Sequence, residues 1–178
     1  ERNVSDVNFT AVHYFFEGNG TTDDPFTIRN CTHLNNMRYF LNYTFVMHTD
    51  VDMSECNVET WNSGKGFEPV GNESNPFTGS FDGGAYVISN LYSNFSNLDY
   101  TGLFGYIEDA DIRNLGLKQV NVSSGIYTGS LAGYMNNTTL QRVFAFSNNS
   151  VYGDNYAGGL VGAFENSSVI NSYARVNT

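Results

Sequence analysis

Two groups of carboxylates are the first candidates for chemistry: Glu108, Asp109 and Asp111 in one, and Asp50, Asp52 and Glu55 in the other. Carboxylates that share a site push their pKa values apart and can divide the general acid and general base roles between them. Both groups lie in polar, turn-like stretches, where a solvated turn is the simpler outcome and weak calcium binding the next, because oxygen ligands collect there. Asp23 and Asp24 precede Pro25 and read as turn chemistry. His13, His33 and His48 have no serine or cysteine partner at a triad spacing. A lyase acting on acidic sugars needs cations, and six Arg with two Lys supply few. The expectation is a protein without catalytic residues, metal or cofactor.

Covalent modification is better represented. Asn-x-Ser/Thr triplets occur twelve times, at Asn3, Asn8, Asn19, Asn30, Asn42, Asn72, Asn94, Asn121, Asn136, Asn137, Asn148 and Asn166. Random placement of the 24 Asn among 30 Ser and Thr would give about four. The excess points to dense N-glycosylation of an exported protein, although Asn-rich turns also generate such triplets passively, and the adjacent Asn136 and Asn137 do not both have room for a glycan. Cys31 and Cys56 are the only cysteines and in an oxidising compartment pair most simply with each other. Two buried free thiols are the alternative.

The elements that carry these groups follow from composition and repetition. A chain of 178 residues with net charge -10 is one domain that repels phosphate backbones and anionic lipid, which sets nucleic acid aside. No apolar run is long enough for a membrane helix, and the opening ERNVSDVNFT lacks a basic-then-apolar signal, so membrane insertion is not expected and the chain reads as already processed. The 18 Gly, 24 Asn and 15% aromatics suit short strands joined by tight turns, an all-β chain. Three segments repeat, from Gly102, Gly129 and Gly158. Their second glycines, Gly105, Gly133 and Gly162, are 28 and then 29 residues apart. Seven residues beyond each lies Ile112, Leu140 or Val169, and ten beyond lies Leu115, Val143 or Ser172. A period of this length without helical spacing marks a solenoid whose coils stack, with Leu103, Leu131 and Leu160 in one ladder and Ile112, Leu140 and Val169 in another. The repeated glycines serve positive φ or close backbone approach, and Tyr106 and Tyr134 are placed to stack between coils.

The runs GLFG, GSLAG and GGLVG, followed by IRNL, LQRV and VINSYA, resemble the GLUG repeat of secreted surface proteins. Upstream, EGNGTTDDPFTI, WNSGKGFEPVGN and FTGSFDGGAYVISNL resemble the lead-in to such repeats, so the similarity covers residues 17–178. The resemblance implies a parallel β-solenoid of the adhesin kind, extracellular or at the cell surface, with no shared catalytic residues. Residues 17–101 would form irregular lead-in coils and 102–178 the regular repeats. Thr32 followed by Leu34, Met37, Phe40 and Leu41 at helical spacing predicts a short capping helix, with Thr32 as N-cap. Trp61, Phe67, Phe77 and Phe81 fill the first coil, and Gly83 and Gly84 turn into a strand near 85–91.

Residues 1–16 read as an extended strand outside the repeat. Val7, Phe9, Ala11, His13 and Phe15 fall on one face and Asn8, Thr10, Val12, Tyr14 and Phe16 on the other, so both faces are largely apolar. Such an arm can fold back as the first strand of its own solenoid or pair with a neighbouring subunit. The intermolecular arrangement is the expectation. Contact between unlike ends does not close, so it would give a head-to-tail filament of the protein with itself. The alternative is an adhesin module that binds glycans or a cell surface, with Phe144, Phe146, Tyr152 and Tyr156 as outward stacking platforms. Those aromatics discriminate: lining an open groove would favour the adhesin.

Overall fold

The computed structural model describes residues 14–176, and they form a pile of coils built from parallel strands. The lead-in contributes β1 (Phe26–Ile28), helix α1 (Cys31–Asn36), β2 (Thr44–Met47) and β3 (Val51–Asp52). The next coil carries β4 (Ser80–Asp82), β5 (Val87–Ser89), β6 (Tyr92–Phe95), β7 (Tyr100–Thr101) and β8 (Phe104–Glu108). One period on lie β9 (Asp111–Lys118), β10 (Asn121–Ser124), β11 (Tyr127–Gly129) and β12 (Ala132–Asn136). The last segments are β13 (Thr139–Gly153), β14 (Tyr156–Gly158), β15 (Val161–Glu165), β16 (Ser168–Ile170) and β17 (Tyr173–Val176). Every pairing between these strands is parallel, as stacked coils require. The expected all-β parallel β-solenoid with a short N-terminal helix is the fold observed.

Register makes the ladders continuous. Phe26, Phe45, Phe81, Ile112, Leu140 and Val169 are successive Cα partners in one sheet. The expected pair Leu115 and Val143 is also in register, and Ser172 donates no apolar group there but accepts the Val143 N–H at 3.0 Å. Coils turn through residues in the left-handed region: Asp109, Asn137 and Asn166 at one corner, Asn114, Arg142 and Asn171 at the next. Asn and Asp tolerate this conformation better than other side chains, which is one physical reason for the high Asn content. Of the two roles open to Gly105, Gly133 and Gly162, close approach is the one used. A Cβ on Gly133 would stand 2.7 Å from the Thr101 nitrogen, and one on Gly105 2.4 Å from the Gly71 oxygen.

The N-terminal end of the pile is covered. Leu34 and Met37 of the α1 region, Met53 and Val58 are fully buried beneath it, with Phe67, Phe77 and Phe81. The Cys31–Cys56 disulfide, with Cα atoms 6.4 Å apart, ties α1 to the short helical segment Met53–Cys56. One detail of the helix differs from expectation. Its N-cap is Asn30, whose Oδ1 accepts the His33 N–H at 2.8 Å, because Cys31 and Thr32 already lie inside the helix.

Candidate functional site

At the opposite side of the pile, nothing among the described residues stacks beyond the last coil. Among the described residues β14 pairs only with β11, β15 only with β12, and β16 and β17 only with β13, so each presents a free edge. The apolar ladder reaches this end without changing character. Phe26 through Leu140 are at most 1% exposed, whereas Val169, next in the same ladder, is 43% exposed. Phe164 is in register with the fully buried Met135 and Ile107, yet is 56% exposed. Ile170, Tyr173 and Tyr156 are likewise exposed. Unpaired edges above an apolar cross-section form a template for a further strand.

The arm is only partly within view. Val7, Phe9, Ala11 and Val12 lie outside the described residues. Tyr14 and Phe15 do not belong to a free arm: Phe15 is buried and stacks on Phe26 at 4.5 Å, and Tyr14 meets Phe40 edge-on at 5.5 Å. Aromatic area of that size is best buried against the nearest apolar surface, here the chain's own first coil. The Phe16 ring is exposed beneath the Arg29 guanidinium, 3.8 Å away. Tyr14 and Phe15, placed in the expected arm 1–16, therefore belong to the chain's own first coil.

One lateral face carries a tyrosine array. Tyr100, Tyr127 and Tyr156 stack at 5.1 and 4.8 Å with nearly parallel rings, and Tyr106 stacks on Tyr134 at 5.0 Å beside them. The expected stacking of Tyr106 and Tyr134 is present. Tyr100 and Tyr127 were missed because the repeat was registered on glycine. Their signal is the triplet Tyr-Thr-Gly at 100–102 and 127–129, which becomes Tyr-Ala-Gly at 156–158. Glu73, Asp99, Glu108 and Glu165 surround these rings. Partial burial, and then the negative charge of Glu73, push the Tyr100 hydroxyl up to about 12. On another face Phe144 and Phe146 line an open groove of about 240 Å³ with Val87, where Gly116 lacks a side chain between Val87 and Phe144. Tyr152 is exposed.

The carboxylates serve the fold. Asp82 accepts Arg113 at 2.8 Å, Asn114 at 2.9 Å and the Gly84 N–H at 2.9 Å, and Arg113 also reaches Asp111 at 2.6 Å. Asp50 accepts the Val87 N–H, and Asp52 accepts Ser54 and Asn90, which hold its carboxyl below the usual range. Glu108 accepts Asn136 at 3.0 Å, and Asp109 accepts Asn137 across the coil boundary. Glu55 is exposed. His33 accepts the Arg29 N–H through Nδ1, and burial, aided by the Arg29 charge, lowers its pKa. His48 is exposed, and His13 lies outside the described residues. No group of three His, Cys, Asp or Glu among the described residues is arranged to hold a metal ion. No described helix is long and apolar enough to cross a membrane. Of the triplet asparagines, Asn3 and Asn8 lie outside the described residues. Asn19, Asn30, Asn42, Asn72, Asn94, Asn121, Asn137, Asn148 and Asn166 are exposed, and Asn136 is half-buried.

No protein-family model matches the chain. It is 37% identical over 177 residues to Halomucin of Haloquadratum walsbyi, covering 95% of this chain and 2% of that protein. It is 32% identical over 137 residues to a protein of Evansella cellulosilytica provisionally named a Gly-rich membrane protein, covering 71% of this chain and 16% of the other. The chain thus spans a small fraction of the curated relatives it matches. A crystal structure from Bacteroides ovatus, of a protein provisionally named an immunoglobulin A1 protease, superposes with a TM-score of 0.54 at 22% identity. The match covers 92% of this chain and 70% of that one. At that identity it shows the fold alone.

Proposed function

We propose that this protein is a structural, non-enzymatic β-solenoid of the cell exterior, N-glycosylated on its lateral faces. In this reading it joins head to tail into a filament or sheath, the N-terminal arm of one copy pairing with its neighbour. What supports the reading is that, among the described residues, Val169 and Phe164 continue ladders that are fully buried one coil earlier and lie against no further strand. The names of the relatives, a mucin and a membrane protein, favour an external location. So do the disulfide, the twelve triplets and the resemblance to GLUG repeats. Covering one end of each copy with the other end of the next extends without closing. Electron microscopy of the purified full chain tests this. Regular filaments, lost when Val169 is replaced by Asp, are the expected result; discrete monomers at all concentrations would refute it.

The second reading, a glycan- or surface-binding adhesin module, is favoured by one observation, the open groove that the half-buried Phe144 and Phe146 line. It makes a separate demand. Glycan-array binding lost on replacing Phe144 by Ala, with assembly unchanged, would establish it.

A further inference from the structure

Three residues depart from the rules of the repeat, and all three line the groove beside Phe144. Ala85, Asn114, Arg142 and Asn171 occupy equivalent corner positions in successive coils, each with left-handed backbone. Asn suits that conformation because its short amide hydrogen-bonds locally, whereas Ala and Arg have no such compensation. Gly116 is the third departure. It stands inside β9, where a glycine weakens a strand and marks a close approach by something else. In the outward ladder Val87, Gly116, Phe144 and Tyr173 it is the one rung without a side chain. Local rules broken together at one place mark a functional site.

The space so made is one ring wide. Val87 and Phe144 wall a groove of about 240 Å³, two strand steps or ~9.6 Å apart, with Gly116 as its floor. A Cβ on Gly116 would stand 2.9 Å from the Val87 Cγ2 and 3.4 Å from the Phe146 Cε1, so any side chain there would begin to fill it. A group centred over Gly116 lies one step, ~4.8 Å, from Phe144, close to the spacing at which Tyr127 and Tyr156 stack. Described coils flank the groove on both sides, since Tyr173 packs on Phe144 at 5.0 Å.

Arg142 is held at the rim by a chain of contacts. Its Nε donates to the Asn114 Oδ1 at 2.7 Å, the Asn114 Nδ2 donates to Asp82 at 2.9 Å, and Arg113 neutralises Asp82 at 2.8 Å. Arg29, Arg38 and Arg113 are each paired with a carboxylate, but Arg142 is exposed and enters no ion pair among the described residues. No carboxylate lines the groove. With Nε committed to Asn114, the two terminal nitrogens remain as a fork that takes a carboxylate through parallel hydrogen bonds. Resting on the adhesin reading of this groove, we infer that it takes one sugar ring bearing a carboxylate, a hexuronate or a sialic-type acid within a glycan. The C–H face of the ring lies on Phe144 and its carboxylate on Arg142. The open side of the groove leaves the hydroxyl edge in water, where it keeps its hydrogen bonds. A neutral sugar would leave the guanidinium fork unused.

An array of glycans bearing hexuronates and sialic-type acids, printed beside their carboxyl-reduced counterparts, tests this with the full chain. The unaltered protein is expected to bind the acidic members roughly tenfold more tightly than the reduced ones. Arg142→Asn installs the residue that Asn114 and Asn171 supply at this corner. It is expected to abolish the preference while the melting midpoint stays level or rises, because Asn suits the backbone better. Gly116→Val, checked for its fold by circular dichroism, is expected to weaken binding of both classes by filling the slot. A preference that survives Arg142→Asn, or an Arg142→Asn protein that melts well below the parent, would overturn the inference. Equal binding of acidic and reduced members, lost in Phe144→Ala, would also overturn it and leave the adhesin reading standing. Binding to neither class would end both.

Discussion

One ladder, cut at two neighbouring rungs, measures how open the end is. Leu140 and Val169 are in register, with exposures of 0% and 43%. Replacing Leu140 by Ala removes three carbons from a closed interior, about 2.4 kcal/mol of transfer free energy at ~0.8 per methylene. The cavity left behind adds to this, so the total should be about 3–4 kcal/mol, inside the range for buried leucines. Replacing Val169 by Ala removes two carbons worth ~1.6 kcal/mol if fully buried. Nearly half of that side chain already meets water and no closed cavity forms, so about 1 kcal/mol remains. Denaturant unfolding of dilute monomer, followed by circular dichroism, reads both differences at unchanged slope. In the assembled state the order reverses: Val169→Ala weakens association, measured by sedimentation across concentration, whereas Leu140→Ala leaves it intact. Equal costs in the monomer would mean that the chain covers its own end. Association indifferent to Val169 would remove that end from the interface.

Two further outcomes follow from named contacts. Opening the Cys31–Cys56 bridge by a Cys31→Ala/Cys56→Ala double change releases a loop of 25 residues and should cost about 3.5 kcal/mol by chain entropy. Limited proteolysis should then cut within residues 29–60 before it reaches the repeats; cleavage beginning in the repeats would contradict the capping role. Tyr100 titrates near 12 in the fold against 10 in a free chain. The unfolded chain therefore loses that proton first, so this contribution to stability is whole below pH 10 and declines between 10 and 12. Tyrosinate absorbance should show a late-titrating component that Glu73→Gln shifts downward; twelve tyrosines titrating together would refute the assignment.

Much of the architecture was legible because a solenoid writes its geometry into sequence at a fixed interval. The ladder Ile112, Leu140, Val169 could be read from spacing alone, and each pair is in register. The lead-in was less legible, since it has no period. Thr32 and Asn30 are both good caps, and only the backbone at Cys31 decides between them. Tyr100 and Tyr127 escaped because the array's rings belong to two sheets and come together only where the coil turns. The end of the arm escaped for another reason. Alternation shows that both faces of residues 7–16 are largely apolar, but not that Phe26, eleven residues past Phe15, offers a stacking partner.

The adjacent triplets at Asn136 and Asn137 separate a passive origin of the sequence excess from an occupied one. A glycan is attached at Nδ2, so that atom must point into open solvent. Asn136 sits within β12 between Glu108 and Glu165 of the flanking coils, and its Nδ2 donates to Glu108 at 3.0 Å. Its Oδ1 is shielded from solvent. A sugar there would have to emerge between two strands ~4.8 Å away on either side. Asn137 stands at the corner, exposed, with a left-handed backbone that turns the side chain off the sheet. After modification one Nδ2 hydrogen remains to donate to Asp109, so the corner contact survives. Glycopeptide mass spectrometry of native material should therefore find sugar on Asn137 and none on Asn136. If triplets arose only because Asn suits left-handed corners, the corner sites Asn137, Asn148 and Asn166 would be as bare as Asn136. Sugar on Asn136 in folded protein would show instead that the sheet face is looser than its packing implies.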